Sequence, residues 1–515
     1  MLWFLFCIAV LVLGYFIYGT IIEKIFVINP KKATPAYTMQ DGVDYMPMSK
    51  SRIWLIQLLN IAGTGPIFGP ILGALYGPVA MLWIVLGCIF AGAVHDYFCG
   101  MLSVRNGGAS MPNLAGKYLG SPVKLFINLL AVVLLFLVGV VFVISPAKLL
   151  SSITVESFGS DTDGGLTVWG MNQTTVITVW TILIFCYYVL ATLLPIDKII
   201  GKIYPFFGAL LLFMSVGMVY GLVSSHFSAT DPIEFFRTVD GITADKFFQN
   251  FQVKGDVPIW PLLFLTISCG ALSGFHATQT PLMARCAENE KEGRFIFYGA
   301  MITEGVIALI WCTVGLSFYE NPQMLQDAIS AGTPSKVVYD SSIHFLGFVG
   351  GIFAILGVVV LPITSGDTAF RAARLIIAEF FNIEQRSLIK RLLISIPLFA
   401  VAFYIIASNV KFDIIWRYFN WANQTTAAVM LWTAAAYLYR YKKFHWVCTI
   451  PAAFISAVSF TFLAYNKAMG FGLDYQLSVY IGLGLTVLCL VLFFILLKPL
   501  GPSDPDINVD DITKA

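Results

Sequence analysis

The stretch Asn60-Ile61-Ala62-Gly63-Thr64-Gly65-Pro66-Ile67-Phe68-Gly69-Pro70 places three glycines and two prolines inside an apolar run covering residues 54–75. A run of that length crosses a bilayer as a helix, at roughly 20 residues per crossing. Proline removes a backbone donor and collides with the preceding turn, and glycine weakens a helix, so the run predicts a span that unwinds near its middle. Unwound backbone at membrane depth is tolerated only where protein or a water-filled cavity satisfies it. Residues 258–283 repeat the pattern with Ser268-Cys269-Gly270-Ala271-Leu272-Ser273-Gly274-Phe275-His276-Ala277-Thr278-Gln279-Thr280-Pro281.

The rest of the chain is built to the same plan. Its 515 residues are 58% hydrophobic and 12% charged, which excludes a soluble globular protein. Thirteen apolar runs stand out, at 2–22, 54–75, 79–103, 123–145, 175–194, 203–224, 258–283, 295–318, 345–374, 388–408, 412–440, 446–466 and 473–497. They are called spans zero to twelve. Residues 1–22 lack a basic leader and a small-residue cleavage site, so span zero reads as a retained helix. With the N-terminus outside and the C-terminus in the cytoplasm, 23 of the 31 Lys and Arg residues fall on the inner side, as the positive-inside rule requires. The loop at 225–257 is then external, and the tail at 499–515, with three prolines and four aspartates, reads as disordered.

A net charge of +2 leaves no basic field for nucleic acid. The nine cysteines lie in apolar stretches without a Cys-x-x-Cys pair, so they read as core residues and no metal or other cofactor is expected. The expected partners are the lipid bilayer, a small-molecule substrate and H⁺ or Na⁺. The two interrupted spans stand five places apart in the series, with four spans between them, and start on opposite sides. The fold class is therefore an all-α polytopic membrane protein with a 5+5 inverted repeat and discontinuous helices one and six, the sequence pointer for a secondary transporter. The organisation follows: a peripheral helix at 1–22, repeats at 54–224 and 258–440, two further helices at 446–497, and the tail. Close helix packing through small residues is the alternative account of the glycines.

The run Asn60–Ala80, with Trp83–Pro112, resembles the signature of the carbon starvation protein A (CstA) family. The likeness continues through Asp41–Tyr45, Pro195-Ile196-Asp197, Gly274–Gln279 and Thr364-Ser365-Gly366-Asp367-Thr368, covering most of residues 1–380. It implies a LeuT-like fold in a bacterial inner-membrane protein that takes up peptides or pyruvate during carbon starvation. The chain is shorter than the long members of that family, so substrate preference does not carry over.

Substrate is expected between the two breaks, at Asn60, Gly63, Thr64, Gly65, Ser268, Gly270, Ser273, Gly274, His276 and Gln279, where half-helix N-termini suit a carboxylate. For ion coupling, Thr364, Ser365, Asp367 and Thr368 are expected to face freed carbonyls from Ile61 and Ala62 to Thr64; a pairing of Asp367 with Arg371 is the alternative. Glu304, mid-span, is a candidate proton carrier or a structural hydrogen-bonding group. His95 and Asp96 are a candidate relay or a helix-end cap with Arg105 or the 106–112 loop; neighbours in sequence stand about 100° apart on a helix, so a bend is needed for both to meet one ligand. Lys202 is a weaker candidate. An intramembrane enzyme finds no His-Glu-x-x-His or Gly-x-Ser-x-Gly motif, and a channel or starvation sensor would not need an internal inverted repeat.

Overall fold

The computed structural model describes residues 2–42, 44–162, 165–193, 196–228, 247–255, 257–385, 387–408 and 412–500. All thirteen runs lie on helices. Span zero is Leu2–Phe26, and span one is Lys50–Ile61 followed by Gly65–Tyr76, bent by 49° at the break. Span two runs from Val79 to Arg105 through a π-turn at Cys88–Gly92. Spans three, four and five are Ser121–Phe158, Gln173–Leu193 and Ile196–His226. Span six is Ile259–Thr266 and Gly274–Ala284, with non-helical backbone between. Span seven is a π-turn at Arg294–Tyr298 leading into Gly299–Ser317. Spans eight to twelve are Pro334–Phe380, Leu388–Ala407, Phe412–Arg440, Trp446–Tyr465 and Tyr475–Leu496.

Ten of these helices are separately long and apolar enough to cross a membrane, and the bent pair of span one makes eleven. The two pieces of span six have only 8 and 11 residues. Span ten is long, but it carries the polar run Asn423-Gln424-Thr425-Thr426.

The expected boundaries that move furthest outward are those of spans three and eight. Span three continues through Pro146 to Phe158, beyond its apolar part, because the helix extends as protein–protein contact after the hydrocarbon-length stretch ends. Span eight begins at Pro334, and Gly347, at φ +68°, interrupts it near the expected start at 345. The two repeats share details besides their breaks. Each has a π-turn in its second span, and each places a short helix between its second and third spans, Met111–Leu119 and Pro322–Gly332. The latter is capped by Asn321, whose side chain accepts from Met324 N at 3.0 Å.

Spans two and seven are mostly buried, whereas spans zero and twelve expose most of their apolar surface. A small antiparallel sheet, Ser160–Thr162, Gly165–Val168 and Met171–Asn172, links spans three and four. All nine cysteines are free; six are buried, while Cys186 is exposed. The expected disordered tail lies outside the described residues from 501 onward, as does most of the loop at 225–257.

Candidate functional site

The two breaks meet. A Cβ on Gly65 would stand 2.3 Å from Cys269 Sγ, one on Gly69 2.8 Å from the Thr266 carbonyl, and one on Gly73 2.3 Å from Ile267 Cδ1. The glycines of span one therefore bring its second half, Gly65–Tyr76, against span six. Elsewhere the site of a Gly63 Cβ is filled by Phe142, and that of Gly274 by the Asn423 carbonyl. Gly270 has φ +86°, a conformation that side chains disfavour, and packs on Ala308. Thus Gly63, Gly65, Gly270 and Gly274 are sites of close packing, against the side chains of Phe142, Cys269 and Ala308 and the backbone of Asn423 respectively.

Several backbone groups expected to be free are taken. At the first break Gly63 N donates to Ile61 O at 2.9 Å, and the Thr64 carbonyl accepts from Phe68 N at 2.8 Å. At the second, Trp83 Nε1 donates to Ile267 O at 2.8 Å. Phe275 N, in the first turn of the inner half-helix, donates to Asn423 Oδ1 at 2.6 Å, and Ser273 Oγ donates to the same oxygen at 3.2 Å. Ser268 Oγ donates to Asn420 Oδ1 at 3.1 Å. Span ten, through Asn420 and Asn423, thus caps the break in span six. What stays unpartnered is side-chain chemistry: Asn60 Nδ2, Thr64 Oγ1 and Gln279 Oε1 are buried without a hydrogen-bond partner. Asn60 is oriented from its other end by Tyr204, whose hydroxyl donates to Oδ1 at 3.1 Å.

A chain of ionisable groups crosses behind the second break. His95 Nδ1 is 2.8 Å from Asp96 Oδ1, Asp96 Oδ2 is 2.9 Å from His276 Nδ1, and His276 Nε2 is 3.3 Å from Glu304 Oε2. All four side chains are fully buried. Asp96 serves both histidines by giving one oxygen to each, so neighbouring residues join one network without a bend. The helix-end cap with Arg105 is not formed: Arg105 binds Glu290 through two hydrogen bonds, Nε to Oε1 at 3.0 Å and Nη2 to Oε2 at 2.9 Å.

On span eight, Thr364 Oγ1 and Ser365 Oγ lie 2.9 and 3.0 Å from the Leu59 carbonyl, just before the first break, and Thr368 bonds back to its own helix. The hydroxyls reach span one at Leu59, not at the carbonyls of Ile61 and Ala62. Tyr187 donates to Asp367 Oδ2 at 3.0 Å, while Oδ1 is buried without a partner. Arg371 Nη2 donates to the Ala191 carbonyl. The side chain of Lys202 lies outside the described residues.

The two ends of the site differ. On the side expected to be cytoplasmic, Arg285, at the end of span six, pairs with Glu379 of span eight at 2.9 Å and donates to Gly108 O, while Asn113 also binds Glu379. Tyr45 donates to Gly107 O; burial raises its phenol above the ordinary range and keeps it a donor. On the opposite side a cavity of about 400 Å³, lined in part by Trp416, Arg417, Asn420 and Lys467, reaches the Asn420 that holds Ser268. The site is closed by side-chain bonds at the end expected to be cytoplasmic and indented at the opposite end.

Sequence reasoning missed Cys269, Asn420, Asn423, Tyr187 and the Arg285–Glu379 pair. The amide-rich run in span ten was the available signal for two of them.

The model of the family described as carbon starvation protein CstA matches residues 1–178 and 148–333, and a single transmembrane helix domain matches 472–498. A membrane protein of Haemophilus influenzae is 77% identical over 352 residues, covering 64% of this chain and 95% of its own. The peptide transporter CstA of Bacillus subtilis is 26% identical, covering 95% of this chain and 94% of its own. The pyruvate/proton symporter BtsT of Escherichia coli is 28% identical over 59% of this chain and 47% of its own. In fold the chain is similar to MhsT in complex with L-phenylalanine, with TM-score 0.53, 14% identity and coverage of 87% of this chain and 98% of the other. It is also similar to a manganese transporter of Eremococcus coleocola, with TM-score 0.51, 12% identity and coverage of 86% and 93%.

Proposed function

Because the chain belongs to the carbon starvation protein CstA family, we propose that it is a secondary active importer of small carboxylate-bearing molecules, pyruvate or short peptides, driven by a cation gradient. The single observation that carries this reading is the pair of interrupted helices packed break to break, with polar side chains of both left unpartnered in the buried interior. Asn60, Thr64 and Gln279 bind the substrate's polar atoms when the packed breaks separate, and the close-packed glycines let the breaks reseal without a side chain in the way. The LeuT-like helical fold and the transporter relatives support carriage over catalysis.

Protons are the preferred coupling ion, and Asp367 is their carrier. It is buried on span eight beside Tyr187 and Tyr188 of span four, Tyr204 of span five and Arg371 of its own helix. One oxygen is held by Tyr187 and the other is left for a proton. Sodium has less support, because Thr364 and Ser365 meet the Leu59 carbonyl and not the Ile61 and Ala62 carbonyls that a cation site at the break would share with them. The N-terminus faces outward, the C-terminus inward, and the inner-membrane protein serves carbon-starved cells.

The test is counterflow of labelled pyruvate, and separately of a labelled dipeptide, in proteoliposomes. Saturable uptake accelerated by internal unlabelled substrate is expected for at least one. Linear, unsaturable flux would mark a channel, and substrate recovered chemically changed would mark an enzyme.

A further inference from the structure

Cys269, His276 and Glu304 each point one ligand atom at a common centre. The sulfur, Nε2 and a carboxylate oxygen all lie within 4.8 Å of one another, and all three residues are buried. Hydrogen bonding accounts for only part of the convergence: Cys269 Sγ meets Ser273 Oγ at 3.4 Å and accepts from Asn423 Nδ2 at 3.8 Å. His276 Nε2 and both Glu304 oxygens have no hydrogen-bond partner, although Nε2 stands 3.3 Å from Oε2. A buried imidazole nitrogen and carboxylate are normally satisfied, and something held between them and the adjacent Cys269 sulfur would satisfy both.

We infer that Cys269, His276 and Glu304 bind one Zn²⁺ ion. Thiolate, imidazole and carboxylate are the ligand types that zinc takes, and three protein ligands leave a fourth corner open. Two ligands at about 2.1 Å from a tetrahedral ion stand about 3.4 Å apart, close to the separation of His276 Nε2 and Glu304 Oε2. The surroundings fit as well. Asp96 Oδ2 accepts from His276 Nδ1, the outer hydrogen bond that fixes an imidazole's tautomer and directs its other nitrogen at a metal. His95 holds the second oxygen of Asp96. Two anionic ligands, Cys269 and Glu304, match the charge of a divalent ion and lower the penalty of burying it. Cys269 precedes Gly270 in the break, His276 follows on the inner half-helix, and Glu304 belongs to span seven. The ion ties both sides of the break to a neighbouring span, and its fourth corner takes water or a carboxylate oxygen.

The test uses the full-length purified protein, stripped with a chelator, equilibrated with Zn²⁺ alone and measured for bound metal. About one ion per chain is expected, with affinity lowered at least ~10-fold in Cys269→Ser and Glu304→Gln and ~10–100-fold in Asp96→Asn. Cys312→Ser, a buried cysteine elsewhere on span seven, should bind as the parent does. Co²⁺ substitution in the unaltered protein should give a thiolate-to-metal charge-transfer band, a readout that needs no variant to fold. Bound zinc far below one per chain, a cobalt spectrum without the thiolate band, or zinc binding unchanged by both Cys269→Ser and Glu304→Gln would overturn the site. None of these measurements involves transport, so failure here leaves the importer reading standing.

Discussion

If the two interrupted helices are held together through their glycines, enlarging one contact and shrinking its partner must be coupled. The pair to use is Gly73 and Ile267. A Cβ on Gly73 would lie 2.3 Å from Ile267 Cδ1 and 2.5 Å from Cγ1, both atoms of a side chain that alanine lacks. Gly73→Ala alone should destabilise through overpacking by about 1–3 kcal/mol, offset by up to about 1 kcal/mol of gained helix propensity. Ile267→Ala alone should cost about 2–5 kcal/mol by leaving a cavity. In the double variant the new methyl occupies part of that cavity, so the combined loss should fall short of the sum by about 1–3 kcal/mol. Gly69→Ala supplies the contrast, because its Cβ would stand 2.8 Å from a backbone carbonyl, that of Thr266, which no side-chain change at Ile267 can move. Unfolding in mixed detergent micelles, followed by tryptophan fluorescence, reads all four stabilities. Additivity within about 0.5 kcal/mol for Gly73 and Ile267 would refute the contact.

Three further outcomes follow from named bonds. Asn423→Ala removes the acceptor from Phe275 N and Ser273 Oγ, and should cost about 1 kcal/mol as a lost helix cap, seen as a lower midpoint in the same unfolding assay, whereas Thr425→Ala on the same helix should cost less. Glu379→Gln weakens the partner of Arg285; since Glu379 is 29% exposed, the loss is expected to be about 1–2 kcal/mol, biased toward an inner side that opens. Site-resolved maleimide labelling of the buried Cys286 should then speed up, and an unchanged rate would argue against the pair as an inner seal. Arg105→Gln should be more damaging than Glu379→Gln, because it strands the buried Glu290 carboxylate; equal midpoints would contradict that ranking.

Much of the architecture was legible because apolar length and glycine–proline interruptions report what a bilayer demands of each segment. The ends of spans three and eight were not, since hydropathy records where lipid stops and not where a helix stops: span three carries on through Pro146 in protein contact. The site was legible as a list and not as an arrangement. Asn60, Thr64, His276, Gln279, Glu304 and Asp367 are all buried, yet His95–Asp96–His276–Glu304 assembles only because spans two, six and seven adjoin, which no spacing within one span encodes. A 100° offset separates side-chain directions but does not stop a histidine from bonding to its neighbour's carboxylate. Cys269 escaped notice because a lone cysteine in an apolar stretch has no sequence partner.

The importer reading is tested most directly by pyruvate accumulation in proteoliposomes under separately imposed gradients. One proton carried with each pyruvate anion predicts about tenfold accumulation per pH unit, acid outside, with no response to an inward Na⁺ gradient. In Asp367→Asn that accumulation should vanish while exchange of internal for external pyruvate persists. Accumulation that followed Na⁺ and ignored pH, or a pH response untouched by Asp367→Asn, would contradict the account.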